Sequence, residues 1–220
     1  MSELQLSAAE ARVVAVMVEK SITTPQYYPM TVNAIMLAAN QKTSRHPVMN
    51  LTEGEVSNAL NRLEELKLVV RDSFSGRVQK WRQQFMHQLM LKPQTMALLT
   101  TLVLRSSQTA AELRANAQPL NGPGDAEAFA AALADLADRA KPLVVQLPRA
   151  PGQAATRFGH TLSGTPESVA FEAPAADAVP NGDRGDRVGM TELLARVQAL
   201  EARVGELESQ LGLGTPPGTD

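Results

Sequence analysis

The feature that most constrains the fold is an order of segments that occurs twice along the chain. In residues 1–84, three segments with the apolar spacing of helices precede two β-capable runs. The first and third helices begin with capping boxes, Ser7 with Glu10 and Thr52 with Glu55, in which a hydroxyl and a carboxylate satisfy free amides of the first turn. The first helix is predicted to end near Lys20, and a shorter second helix lies between these two.

The two β-capable runs, "LVVRD" and "RVQKWRQ", flank the turn "SFSG" and predict a hairpin. Three helices followed by a hairpin is the order of a winged helix-turn-helix domain. The order recurs in residues 85–163, where Thr109 and Glu112 form a further capping box and "LVVQLPRAPGQAATRFGH" supplies a strand, a turn and a strand. We therefore predict an α+β, mainly helical protein with two tandem winged helix-turn-helix domains, at residues 1–84 and 85–163.

The remaining chain has a different composition. Residues 164–188 are rich in Pro, Gly, Ala and Asp, which is typical of a flexible acidic linker. Residues 189–212 predict a coiled-coil helix, because their apolar residues alternate spacings of four and three. This pattern favours a parallel homodimer, although a single amphipathic helix that packs on its own body is the alternative. The predicted dimer contacts are Leu193, Val197, Leu200, Val204, Leu207 and Leu211.

The composition and motifs exclude several kinds of chemistry. The chain has no cysteine, so it has neither disulfides nor thiolate nucleophiles. His46, His87 and His160 each lack a second ligand at metal-binding spacing. Phosphate-binding loops, nucleophile elbows and HExxH motifs are missing, so we predict neither an enzyme nor a cofactor or metal site. The apolar runs fall short of the roughly 20 residues of a membrane helix, which predicts a cytoplasmic protein without membrane contact.

The charges are unevenly distributed along the chain, whose net charge is −2. Residues 1–84 hold ten Lys or Arg and eight Asp or Glu, and residues 85–163 hold seven and five. Residues 164–220 hold four and ten. The first two segments therefore allow a basic surface but lack the strong basic excess of a typical nucleic-acid-binding domain.

Several long motifs identify a family resemblance. They include "EKSITTPQYYP", "NQKTSRHPVMNLTEGEV", "GRVQKWR", "LLTTLVLRSSQTAAELR" and "PLVVQLPRAPGQAATRFGHTLSG", which together span residues 6 to about 164. In these motifs the chain resembles the YceH-like family, bacterial proteins of unassigned function built from two winged-helix domains. The resemblance implies the fold and a cytosolic setting, and members of the family often end in a predicted coiled coil. It implies no activity.

Candidate nucleic-acid contacts lie on the third helix and the hairpin of the first domain. Asn58 and Arg62 are one turn apart on the outward face, and their side chains are suited to adenine and guanine edges. On the hairpin, Arg77, Lys80 and Arg82 are candidates for phosphate contacts. The helix also carries four Glu residues, which oppose such contacts. The alternative for the hairpin cations is a solvated sheet edge that discourages pairing with other chains.

The loop "NQKTSRHPVMN" between the second and third helices is longer than a usual helix-turn-helix turn of 3 to 4 residues. Its Lys42 and Arg45 are predicted to lie near the start of the third helix, where they could contact phosphates. In the alternative, Arg45 pairs with the nearby Glu53 and Glu55 and the loop only fixes the angle of that helix.

The second domain has an acidic and Ala-rich segment, "GDAEAFAAALADLADRA", at the position of its recognition helix. Its carboxylates would repel phosphates, whereas small side chains suit close packing. We therefore predict that this domain contacts a protein partner or a second copy. Two functions follow from the sequence: a dimeric DNA-binding regulator that uses its first domain, or an adaptor that uses both domains for protein contacts without DNA.

Overall fold

The computed structural model describes residues 4–73, 76, 78–149, 155–164, 166 and 203. The chain forms two units, Met1–Phe171 and Glu172–Asp220, and every described residue except Arg203 belongs to the first. The six predicted coiled-coil contacts and nearly all of the predicted linker lie outside the described residues. The first unit is α+β and mainly helical, as the sequence predicts.

The first half of this unit contains a three-stranded antiparallel sheet beside three helices. The strand order is β1-β3-β2, so the central strand is the second strand of the hairpin. Met30 is paired with Trp81 on one side of that strand, and Val70 is paired with Arg82 on the other. The elements are α1 (Ala8–Thr23), a 3₁₀ turn (Pro25–Tyr27), β1 (Met30–Thr31), α2 (Val32–Ala39), α3 (Glu53–Glu65), β2 (Val69–Arg71) and β3 (Lys80–Gln83).

The second half repeats this order after a one-turn helix. Its sheet has the strand order β4-β6-β5, again antiparallel, with the second hairpin strand in the centre. The elements are α4 (Phe85–Gln88), α5 (Pro93–Arg105), β4 (Gln108–Thr109), α6 (Ala110–Ala117), a 3₁₀ turn (Gln118–Leu120), α7 (Ala126–Ala137), β5 (Val144–Leu147) and β6 (Arg157–His160). Each half thus has a long helix, a short strand, two helices and a hairpin.

The capping boxes set the first residues of three helices. At α3, the amide of Glu55 donates to the hydroxyl of Thr52, and the amide of Thr52 donates to the Glu55 carboxylate. The same exchange begins α1 at Ser7 and α6 at Thr109. These predictions are confirmed. The predicted end of α1 near Lys20 is short by one turn, because the helix continues to Thr23.

The core is centred on the two long helices, α1 and α5, which pack against each other. Eight consecutive residues of α1, Ala11–Val18, are buried, and so are ten consecutive residues of α5, Thr95–Leu104. A helix is buried all round when its residues contact neighbours on every side. The contacts of α1 with α2 and α3 on one hand and with α5 on the other provide those neighbours. The two halves therefore share one continuous core.

Two arginines hold the loop between α2 and α3 against α1. The Arg45 guanidinium donates to both carboxylate oxygens of Glu19, at 2.6 and 3.1 Å, and to the carbonyl of Ala38 at the end of α2. Arg12 donates to the carbonyls of Ala39 and Pro47. Guanidinium groups suit this position, since the carbonyls at the C-terminus of a helix carry partial negative charge.

The two ends of the same loop are joined by a single side chain. The Asn40 amide donates to the carbonyl of Leu51 at 2.8 Å and accepts from the amide of Leu51 at 2.7 Å. Leu51 directly precedes Thr52, the N-cap of α3. The conformation of the loop therefore determines where α3 begins.

Replacement of Arg45 by Ala should lower the free energy of unfolding by about 3 kcal/mol, because removing one partner of a buried pair leaves the other charge poorly compensated. Urea denaturation of the full chain measures the change. Lys42→Ala, an exposed substitution in the same loop, should stay within about 0.5 kcal/mol of the parent. A loss below about 1 kcal/mol for Arg45→Ala would contradict the anchoring role.

His160 on β6 is a partly buried histidine in the second half, and its Nδ1 atom is fully buried. Its Nδ1 atom has no hydrogen-bond partner among the described residues, and burial lowers its pKa from 6.5 to about 4. The folded protein therefore favours the neutral imidazole. The pKa of His160 is lower in the folded protein than in the unfolded chain. The neutral imidazole therefore stabilises the folded state above pH 6.5, and this stabilisation is lost as the pH falls towards 4.

Acidification from pH 7 to about pH 4.5 should therefore lower the free energy of unfolding of the parent by about 2 to 3 kcal/mol more than that of a His160→Gln variant. The variant has no group that titrates at this position. Urea midpoints of both proteins at the two pH values measure the difference. Parallel losses in the two proteins would show that His160 does not cause the acid sensitivity.

Candidate nucleic-acid interface

The outward face of α3 presents the polar residues that the sequence predicts. Val56, Leu60 and Leu63 are fully buried and fix the orientation of the helix. Asn58, Asn61 and Arg62 are exposed on the opposite face. The predicted placement of both candidate base readers on this face is confirmed, and whether they contact bases stays a prediction.

Arg62 is partly neutralised by its own helix. Its Nη1 atom lies 2.6 Å from a carboxylate oxygen of Glu65, and the two side chains are 58% and 65% exposed. A pair this exposed contributes about 0–1 kcal/mol, so a stronger anion could replace Glu65 at small cost. Arg62 is thus available to a ligand after the exchange of one weak partner.

The hairpin has one buried and one exposed face. Trp81 is buried on the inner face and fills the core, while Arg82 is exposed and Lys80 partly exposed on the outer face. The Nε atom of Arg82 lies 2.6 Å from a carboxylate oxygen of the buried Asp72. Lys80 forms no ion pair with another described residue. Arg77, the third cation predicted for this hairpin, lies outside the described residues.

Arg71 joins the hairpin to α3. Its Nη2 atom donates to Asn61 and pairs with Glu64, both at 3.1 Å, and its guanidinium carbon lies 5.0 Å from the centre of the Trp81 ring. Such contacts of an arginine with a carboxylate and an aromatic face are each modest, but together they fix one element against another. The helix and the hairpin therefore form one continuous surface.

This surface has no net charge among the described residues. Glu55 stays ionised, because hydrogen bonds from the Thr52 amide and hydroxyl lower its pKa. Five cations face five carboxylates on α3 and the hairpin. They are Arg62, Lys67, Arg71, Lys80 and Arg82 against Glu53, Glu55, Glu64, Glu65 and Asp72. Attraction of a phosphate backbone must therefore come from elsewhere or from rearranged ion pairs.

The two candidate phosphate contacts of the loop, Lys42 and Arg45, differ in exposure in the structure. Lys42 is exposed, as predicted, and forms no ion pair with a described residue. Arg45 is only 5% exposed, which corrects its predicted placement at the surface. The acid that it contacts is Glu19 on α1 and neither Glu53 nor Glu55, so the alternative that named those two is wrong about the partner. The reason is that the loop folds back onto α1, away from the acids that are close in sequence.

Arg12 is a further buried cation that the sequence interpretation missed. It lies within the buried run of α1 and is 2% exposed. Burial, followed by the nearby charge of Arg45, lowers its pKa to about 10, so it remains charged at neutral pH. The signal was available, since an arginine within the otherwise apolar run "ARVVAVMV" must find polar partners when the helix is buried.

The second half presents a different surface at the corresponding helix. The exposed residues of α7 are mostly alanines, with Glu127 and then Asp138 beyond its end. Asp125 caps the helix, and Asp135 pairs with Arg139. The predicted acidic, Ala-rich character of this outward face is confirmed.

The described part of the chain contains neither a cluster of metal ligands nor a membrane-spanning helix. No group of three or more acidic or histidine residues is arranged to hold a metal ion there. Among the helices in that part, none has both the length and the apolar character needed to cross a bilayer.

Comparison with known proteins gives consistent matches along most of the chain. A family model described as "Protein of unknown function, DUF480" matches residues 6–153. A UPF0502 protein of Burkholderia orbicola is 41% identical over 217 residues, which cover 95% of this chain and 90% of the relative. A UPF0502 protein of Xanthomonas axonopodis pv. citri is 44% identical over 206 residues, covering 94% and 90%. One from Geobacter sulfurreducens is 39% identical over 205 residues, covering 93% and 91%. None of these descriptions names a ligand or an activity.

Proposed function

The chain belongs to the DUF480 family, in agreement with its YceH-like motifs, and we propose that it is a cytoplasmic tandem winged-helix protein that binds duplex DNA as a dimer. The observation that supports this function best is the continuous surface of α3 and the hairpin in the first half. In a winged helix-turn-helix domain the third helix enters the major groove. The order of helix, strand, two helices and hairpin in each half supports that fold.

The side chains on this surface match the chemistry of base edges. Asn58 can exchange two hydrogen bonds with adenine, and Arg62 can donate two to guanine. Both lie on one helix face, one turn apart. Lys80 and Arg82 on the adjoining hairpin are suited to phosphates. Because acids offset these cations, binding should be weak and should depend steeply on salt.

A second function is supported by a separate observation. The acidic and Ala-rich outward face of α7 repels phosphates and can pack closely against another helix. In this alternative the protein is an adaptor, and both halves contact proteins without DNA. A winged-helix fold is compatible with either function, since fold alone does not determine it.

Replacement of both Asn58 and Arg62 by Ala should weaken duplex binding about tenfold or more, since a bidentate hydrogen-bonded pair with a base is worth about 1–3 kcal/mol. Glu65→Gln should strengthen it, because the substitution frees Arg62 and removes a negative charge. Fluorescence anisotropy with a labelled duplex at about 50 mM salt measures both effects. Arg149→Ala, on the hairpin of the second half, is the matched control. If the parent does not bind any duplex at low salt, the DNA function is wrong and the adaptor remains.

We place the dimer contact in the predicted coiled coil, at the six apolar residues of its heptad pattern. Leu200→Lys with Leu207→Lys should therefore halve the mass of the full chain in sedimentation equilibrium, because charges at these positions disrupt the packed contact. Ala202→Lys with Ser209→Lys, at the opposite positions of the same heptads, should leave the mass unchanged. Equal masses for the two variants would contradict a coiled-coil dimer.

A further inference from the structure

A chain of contacts links the loop after α2 to the C-terminal ends of α1 and α5. The Lys20 ammonium donates to the Gln41 side chain at 3.4 Å, and the same Gln41 oxygen accepts from Arg45 at 2.8 Å. Arg45 also donates to the carbonyl of Ser44, whose hydroxyl accepts from Arg105 at 2.7 Å. These contacts place residues from both halves of the protein in one cluster. We call Lys20 and Arg105 of this cluster, together with the exposed Lys42 that follows Gln41 in the loop, the basic loop surface.

The charge of this cluster differs from that of α3 and the hairpin. Two buried guanidiniums, Arg12 and Arg45, lie beneath the basic loop surface. Glu19 is the one carboxylate that pairs with any of these five cations within the described part of the chain. The set therefore has a formal charge of +4, from five cations and the one carboxylate paired with them. The described residues of α3 and the hairpin, counted with all their carboxylates, sum to zero.

The polar main chain reduces this excess only slightly. The carbonyls of Ala38 and Ala39 accept from the two arginines, and the C-terminus of a helix such as α2 corresponds to roughly half a negative charge. Most of the positive charge thus remains to act on the solvent side. Three cations at the surface, with two more held beneath them in a medium of low polarity, form a local positive potential.

The loop also offers hydrogen-bond donors beside these cations. Lys42, Thr43 and Ser44 are exposed. The main-chain amides of Lys42 and Thr43 donate no hydrogen bond within the described part of the chain. Amides and hydroxyls next to Lys and Arg are the usual ligands of phosphate oxygens. The surface therefore combines charge with donors suited to a ligand that only accepts hydrogen bonds.

The position of the loop favours a nucleic-acid ligand. Through the two hydrogen bonds between Asn40 and Leu51, the start of the loop is joined to the residue directly before Thr52, the N-cap of α3. A phosphate held by the loop would therefore have a constant position relative to Asn58 and Arg62. In protein–DNA complexes, phosphate contacts of this kind set the register and orientation of the recognition helix.

We propose that the basic loop surface binds phosphates of a nucleic-acid backbone and supplies the electrostatic attraction that α3 and the hairpin lack. The site requires both halves, because Arg105 comes from α5 of the second half. The identity of the ligand as nucleic acid rests on the proposed function, whereas the affinity of the surface for phosphates rests on its own charge. Arg45 acts beneath the surface by holding the loop and adding charge, without contacting the ligand.

The test is the neutralisation of the basic loop surface by Lys20→Gln, Lys42→Gln and Arg105→Gln together in the full chain. Anisotropy of a labelled duplex of about 20 base pairs should show at least tenfold weaker binding at about 100 mM salt. The slope of log K against log salt should become shallower by about 0.9 for each phosphate that the variant no longer neutralises. The matched control neutralises three exposed cations of the second half, Lys92, Lys141 and Arg149. Urea denaturation of both variants verifies that they are folded.

The outcomes separate this inference from the proposed function. If the loop variant loses affinity and salt dependence while the Asn58 and Arg62 variant binds normally, the phosphate site is supported and base reading by α3 is wrong. Unchanged affinity and slope in the loop variant overturn the phosphate site, even if the α3 variant fails to bind. An equal loss in the control triple would also overturn it, because the effect would then be one of total charge. Absence of duplex binding by the parent overturns both.

Discussion

The ion pair between Arg45 and Glu19 is the contact on which the geometry of the first half depends. It joins a loop to a helix 26 residues earlier in the chain, with N–O distances of 2.6 and 3.1 Å. The pair alone would hardly offset the cost of removing two charges from water. Its additional bonds to the end of α2 change this balance, because a carbonyl at a helix C-terminus otherwise has no partner. Arg45 thus satisfies α2 and fixes the loop at the same time.

Sequence patterns predicted those parts of the fold that depend on neighbours in the chain. The box of Thr52 and Glu55 identified the start of α3, and the apolar spacing of the segment after it identified that segment as a helix. Hairpin signals identified the paired strands in both halves. The two-residue strands β1 and β4 were missed, because a segment that short has no periodicity and is a strand only through its pairing with β3 or β6.

The candidate site was predicted less well, since its decisive contacts join distant residues. Asn58 and Arg62 follow from helix periodicity and lie on the outward face as predicted. For Arg45 the acids close in sequence suggested the wrong partner, because proximity along a chain is a poor guide once a loop folds back. Arg12 carries the physical signal that would have helped. A charged residue in a helix buried on all sides requires partners from another segment, and the loop with its free carbonyls was the segment available.

The uneven distribution of charge in the first half has a structural cause. The residues of α3 that complete its capping box and balance its arginine are glutamates, so this helix is not the source of positive potential. The loop can provide that potential because it is braced from the other half. The amide of His46 donates to the carbonyl of Leu104 at 2.8 Å, and Arg105 contacts Ser44 beside it. Since Leu104 and Arg105 end the buried α5, the second half determines where the charges of the loop lie. Under the proposed function, an acidic, Ala-rich α7 does not oppose nucleic-acid binding by the first half, because the contribution of the second half is made at the end of α5.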